Sequence, residues 1–126
     1  MKNNVGVWID HRKAVIVSLA GEVEKTRRII SHMEKHVRFS RGANEASAED
    51  QRDRRFTGHL GKYYERVVSC IRDADSILIL GPGEAKIELK TLLKREALGG
   101  HIAGIETVDK MTDRQLAAKV RKHFLL

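Results

Sequence analysis

The stretch Ser76-Ile-Leu-Ile-Leu-Gly-Pro-Gly-Glu-Ala-Lys86 constrains the fold most. Four consecutive apolar residues, Ile77 to Leu80, lead directly into Gly81-Pro82-Gly83, and a helix-forming segment follows from Glu84 to Ala97. A short apolar run closed by turn residues reads as a strand covered on both faces. Such a strand requires helices on both sides of a sheet, so the chain is expected to be α/β. The corner after it resembles the ligand-binding edge of many α/β sheets, where helix N–H groups converge. Two features argue against a phosphate there. The segment lacks the Gly-Lys-Ser/Thr ending of a phosphate loop, and Lys86, followed by Ile87 and Glu88, stands where a third glycine would. Glu84 at the helix start complements the helix dipole and repels an anion. The corner is therefore expected to be a structural turn.

The remaining elements are read around that strand. Val5, Val7 and Ile9 alternate with Gly6 and Trp8, and Lys13–Ala20 is a second apolar run, so Asp10-His11-Arg12 should close an antiparallel hairpin with Asp10 capping the turn. Gly21 permits another reversal into a charged third strand from Glu22 to about His32. Val23, Lys25, Arg27 and Ile29 would share one side of it, and Glu24, Thr26, Arg28 and Ile30 the other. Such a strand suits a protected sheet edge, and equally suits Lys25, Arg27 and Arg28 facing an anionic partner. Residues 34–52 show no period. From Asp53 to Ala74, the stripe Phe56, Leu60, Tyr63, Val67 and Ile71 predicts a long helix, with Arg52, Arg55, Lys62 and Arg66 off the stripe. After the helix of Glu84–Ala97, with Leu89, Leu92 and Leu93 as its apolar side, Gly99-Gly100 is expected to end it. His101–Val108 reads as a fifth strand. Thr112-Asp-Arg-Gln115 reads as a capping box opening a last helix to about His123, with Leu116, Val120 and Phe124 as its stripe. The order is β-β-β-α-β-α-β-α. Right-handed crossovers then give a mixed five-stranded sheet of order 3-2-1-4-5, a ribonuclease H-like arrangement. All 126 residues are expected to form one domain, carrying a long charged loop at about 34–52.

Composition narrows the function. The net charge of +7 points to an anionic partner, nucleic acid first. Residues 67–100 hold five basic and five acidic side chains, so the corner lies in the neutral part of the chain. No apolar run is long enough for a membrane span, and no signal peptide is visible, which favours the cytoplasm. Cys70 is the single cysteine and is expected to be a buried, inert thiol. His32, His36 and His59 could be assembled as zinc ligands, but solvated histidines are the simpler reading, and no metal or other cofactor is expected.

With this topology in place, the chain resembles the middle domain of archaeal and eukaryotic peptide-chain release factors and of Pelota. It is also similar to small stand-alone bacterial proteins labelled translational machinery proteins. The resemblance rests on the opening strand pair with Asp10 and on Lys35-His36 before a glycine-containing loop. It rests further on Arg54-Arg55-Phe56 leading to Tyr63-Tyr64, and on Leu80-Gly-Pro-Gly-Glu-Ala-Lys86. It implies a translational machinery component fold and a role at the ribosome. In the release factors a similar Lys-His leads into a loop carrying Gly-Gly-Gln, on which release depends. Here the loop reads Phe39-Ser-Arg-Gly-Ala-Asn-Glu-Ala46, and Gln51 has no flanking glycines. Peptide-release catalysis is therefore not expected. Pelota-like proteins also lack the tripeptide and rescue stalled ribosomes without hydrolysis, using further domains.

The expectation is a non-enzymatic RNA- or ribosome-associated protein. Its contacts would be Lys35, His36, Arg38, Arg41, Arg52, Arg54 and Arg55, because arginine forks hold phosphates and the interleaved Phe39 and Phe56 can stack on unpaired bases. Two alternatives stay open. One is a protein-interaction or homo-oligomeric module using an exposed edge strand. The other is a metal-dependent ribonuclease H-like nuclease using Asp10 and Glu65, although the fourth strand ends without a carboxylate.

Overall fold

The computed structural model describes residues 2–31 and 60–125. Strands β1 (Asn3–Ile9), β2 (Lys13–Ala20) and β3 (Val23–Ile30) come first. They are followed by a helix α1, described over residues 60–71, and by β4 (Ser76–Gly81). Helix α2 (Ala85–Arg95), β5 (Ile102–Thr107) and helix α3 (Asp113–Leu125) complete the chain. The sheet has five strands in the order β3-β2-β1-β4-β5, as expected. β1–β2 and β2–β3 are antiparallel, while β4 lies parallel to both β1 and β5.

Side-chain alternation assigns each face. Val5, Val7 and Ile9 of β1, with Ile77 and Ile79 of β4, pack under α1 and α2. Trp8, Val15, Val17, Leu19, Leu78 and Leu80 point to the other face, under Leu116, Ala117 and Val120 of α3. The run Ile77–Leu80 is fully buried, as a central strand between two helical layers must be. Gly6 gives α3 room to approach, since a Cβ there would lie 2.2 Å from a Val120 methyl. In β5 an irregularity between Ile77 and Leu78 pairing keeps both Ile102 and Ile105 on the α1/α2 face despite their odd spacing.

Several boundaries differ from the sequence reading. The third strand ends at Ile30, and its expected end at His32 lies outside the described residues, as does the start of the helix expected from Asp53. α1 ends at residue 71 rather than at Ala74, because the chain turns there to enter β4; the Ala74 amide donates to the Ile71 carbonyl at 3.0 Å. Leu60, Tyr63, Val67 and Ile71 are buried as expected, and Tyr64 and Val68 join them, so the apolar stripe is wider than one residue per turn. α2 is closed not by Gly99-Gly100 but by Ala97, which adopts φ 63°. The Ala97 amide bonds the Lys94 carbonyl at 3.1 Å and the Leu98 amide bonds the Leu93 carbonyl at 2.8 Å, the Schellman pattern. Gly99–His101 forms a short 3-10 turn instead, so β5 starts at Ile102.

Candidate functional site

The Gly81–Lys86 corner is built for packing. A Cβ at Gly81 would lie 2.3 Å from the Ile9 carbonyl oxygen, so β4 and β1 approach too closely there for any larger residue. Lys86 is buried, and its Nζ donates to the Gly83 carbonyl at 2.6 Å. The cation is thus folded back onto its own turn. No side chain caps the α2 start at Glu84. The structural reading of this corner agrees with that geometry.

The hairpin turn beside it is also internally satisfied. Asp10 Oδ1 accepts the Arg12 and Lys13 amides, each at 2.8 Å, which is the expected Asx cap. The Asp10 carbonyl accepts the Tyr63 hydroxyl at 2.9 Å. Burial above all, and secondarily the Asp10 charge, pushes the Tyr63 hydroxyl well above the usual tyrosine range.

Between α1 and α2, at the end of β1, lies a groove of about 640 Å³. In it Glu88 bridges two partners: its Oε1 lies 2.8 Å from His11 Nε2, and its Oε2 accepts the Tyr64 hydroxyl at 3.0 Å. Burial, followed by the nearby Glu88 charge, raises the Tyr64 hydroxyl strongly. Glu65, Glu84, Thr91 and Arg95 also line the groove. β3 ends beside it, where the Ser31 hydroxyl donates to the His11 carbonyl at 2.6 Å and its amide to the Arg12 carbonyl at 2.8 Å. The sequence reading assigned neither Tyr64 nor Glu88 a role. Tyr64 falls on the edge of a helical stripe, and Glu88 meets His11 only through a separation of 77 positions.

The expected contact residues Lys35, His36, Arg38, Arg41, Arg52, Arg54 and Arg55 lie outside the described residues, and so do His32 and His59. Among the described residues no group of three His, Cys, Asp or Glu side chains could hold a metal ion, and no helix is long and apolar enough to cross a membrane. His101 Nδ1 faces the Asp75 carbonyl at 3.3 Å, and His123 packs edge-on against Phe124 at 4.8 Å. Cys70 is half-buried rather than buried, because it sits at the margin of α1 facing β3; an Arg27 nitrogen lies 3.3 Å from its sulfur.

The three β3 cations are sorted by face. Arg28 turns toward α3 and pairs with Asp113 at 2.7 Å, beside the Glu24–Arg121 pair. Lys25 and Arg27 turn toward α1, next to a cavity of about 380 Å³.

No protein-family model matches the chain, and no curated protein sequence matches it. Solved structures do. The Pelota protein of Thermoplasma acidophilum is 17% identical with a TM-score of 0.59, over 96% of this chain and 32% of its own. The Pelota of Archaeoglobus fulgidus is 14% identical with a TM-score of 0.55, over 98% and 32%. An archaeal translation termination factor, aRF1, is 15% identical with a TM-score of 0.55, over 95% and 34%. The chain spans about a third of the length of these proteins. Its α/β fold, a mixed sheet of order 3-2-1-4-5 with helices on both faces, is therefore one that Pelota and aRF1 contain.

Proposed function

We propose that this protein is a non-enzymatic RNA- or ribosome-associated domain, related to the release-factor middle domain but without the Gly-Gly-Gln tip. The observation that carries this reading is the fold match of nearly the whole chain to part of a translation termination factor and of two Pelota proteins. The net charge of +7 supports an anionic partner. The absence of Gly-Gly-Gln anywhere in the sequence separates the role from peptide release. The 126 residues act as one cytoplasmic domain, and Lys35, His36, Arg38, Arg41, Arg52, Arg54 and Arg55 contact RNA.

Co-sedimentation with ribosomes or their subunits from cell extract tests the association. Filter binding to RNA over a salt series tests the contacts. Binding that weakens with salt, with a shallower slope in Arg54→Ala and Arg55→Ala, is the expected result. Failure both to co-sediment with ribosomes and to bind RNA at low salt would overturn the reading.

One observation favours a second reading. Among the described residues β3 is a sheet edge, and Val23 and Ile30 on it are exposed, which suits pairing with another copy. Light scattering on the eluting protein decides this: a stable dimer would support self-association, and a monomer would exclude it.

A further inference from the structure

The geometry points to the α1-facing side of the edge strand β3 as a docking surface for the phosphate backbone of single-stranded nucleic acid, with Lys25 and Arg27 as its phosphate-binding residues. This rests on the RNA-associated reading above and adds a surface that the 34–55 segment does not include.

Three observations place it there. First, the two sides of β3 treat charge differently. Toward α3, Arg28 and Glu24 are each paired with a side chain of opposite sign on that helix. Toward α1, no carboxylate among the described residues lies within ion-pair distance of Lys25 or Arg27. Glu65 on α1 lines the groove shared with α2, and Glu24 faces α3, while Glu22 and Asp73 make no ion pair with either cation. Second, the cations overlook a concave site. Lys25 pairs across the sheet with Ser18 and Arg27 with Ile16, and these four residues with Thr26 and Cys70 line the cavity of about 380 Å³. The described partner of the Arg27 side chain is the Cys70 sulfur at 3.3 Å, a weak acceptor, which leaves most of the guanidinium fork available to a phosphate. Third, the cationic line continues along α1. Arg66 stands one turn before Cys70, is exposed, and spends one nitrogen on the Ile30 carbonyl at 2.6 Å; Lys62 lies a further turn back and is exposed. Lys25, Arg27, Arg66 and Lys62 thus form a row along one edge of the molecule, a shape that suits an extended polyanion better than a compact one.

Cys70 is the only cysteine, so its alkylation reports on this cavity alone. Filter binding of a short oligouridylate over a salt series is measured on the full chain, together with the iodoacetamide labelling rate of Cys70 with and without the oligonucleotide. The wild type is expected to bind and to label severalfold more slowly when bound. The double variant Lys25→Gln/Arg27→Gln should lose that protection and show a salt slope shallower by about 1.4, the value for two lost single-strand phosphate contacts. Arg28→Gln, on the paired side, should keep both. All three positions are exposed, and circular dichroism on each variant checks that it is folded. If the wild type binds but the double variant keeps the slope and the protection, the surface is overturned while the RNA-associated reading stands. If the wild type binds neither oligouridylate nor ribosomes, both fall. If polyglutamate protects Cys70 and oligouridylate does not, the surface belongs to an acidic protein and the inference is overturned.

Discussion

The two faces of the sheet are held by different chemistry. The α1/α2 face is covered by two helices and contains the two buried tyrosines, whose hydroxyls reach Asp10 and Glu88. The α3 face is covered by one helix, seated on Trp8, Val17 and Leu78. At its margins are Arg28–Asp113, Arg121–Glu24 and Lys119–Glu106, all between partly exposed side chains. Buried hydrogen bonds fix position, because an unmade one costs the desolvation of its partner. Exposed ion pairs contribute little and are screened by salt. The difference implies that α3 is a scaffold clamped by apolar packing. The open polar groove, the tyrosine hydroxyl contacts, and Lys25 and Arg27, which pair with no carboxylate among the described residues, all lie on the opposite face.

Four measurements would break or sharpen this contrast. The largest effect is expected from Leu116→Ala. Leu116 is 1% exposed, and its loss should destabilise the protein by about 3 kcal/mol in urea unfolding. A cost near that of a surface position would mean that α3 is not seated by its apolar stripe. Next is alkaline pH, which addresses the other face. Tyr63 and Tyr64 are the only tyrosines, and the folded state holds both hydroxyls above their ordinary value near 10. Unfolded tyrosines release protons first, so stability is intact below pH 10 and falls above it, by up to about 1.4 kcal/mol per pH unit for each. Absorbance at 295 nm should therefore show no tyrosinate until the fold melts cooperatively. Separate ionisation of a native tyrosine would show that the α1/α2 face is open to water.

Thr112→Ala should cost about 1 kcal/mol. It removes the reciprocal cap in which the Gln115 amide donates to Thr112 Oγ1 at 3.1 Å and the Thr112 amide to Gln115 Oε1 at 2.9 Å. The smallest effect is Arg28→Ala, expected at about 0.5 kcal/mol or less and vanishing in high salt. A larger, salt-resistant loss would move the Arg28–Asp113 pair from periphery to structural clamp.

How far the fold was legible follows from range. The strands, the Asp10 turn and the Thr112–Gln115 cap rest on spacings of a few residues and the sheet order on right-handed crossovers, and apart from element ends each is found as expected. What the sequence hid depends on distant partners. Tyr64 and Glu88 meet across 24 positions, and His11 joins them across 77. Alternation placed Arg28 opposite Lys25 and Arg27, but only the seating of α3 shows that Asp113 neutralises it. The Gly99-Gly100 pair drew the helix end two residues too late, because glycine frequency outweighs the hydrogen-bond geometry that Ala97 satisfies. The candidate contacts from Lys35 to Arg55 were named from charge and motif and lie outside the described residues, whereas the β3 cations needed the sheet to sort them.

Ala97 has a consequence of its own. A side-chain-bearing residue sits at φ 63°, in the left-handed region where a Cβ is penalised. Glycine would relieve that penalty at the cost of a more flexible unfolded chain, for a net gain of about 1 kcal/mol or less. The domain therefore carries an unused reserve, one codon change away, on which a destabilising change elsewhere could draw. Melting temperatures of Ala97→Gly alone and in combination with Thr112→Ala would measure that reserve as mutational tolerance.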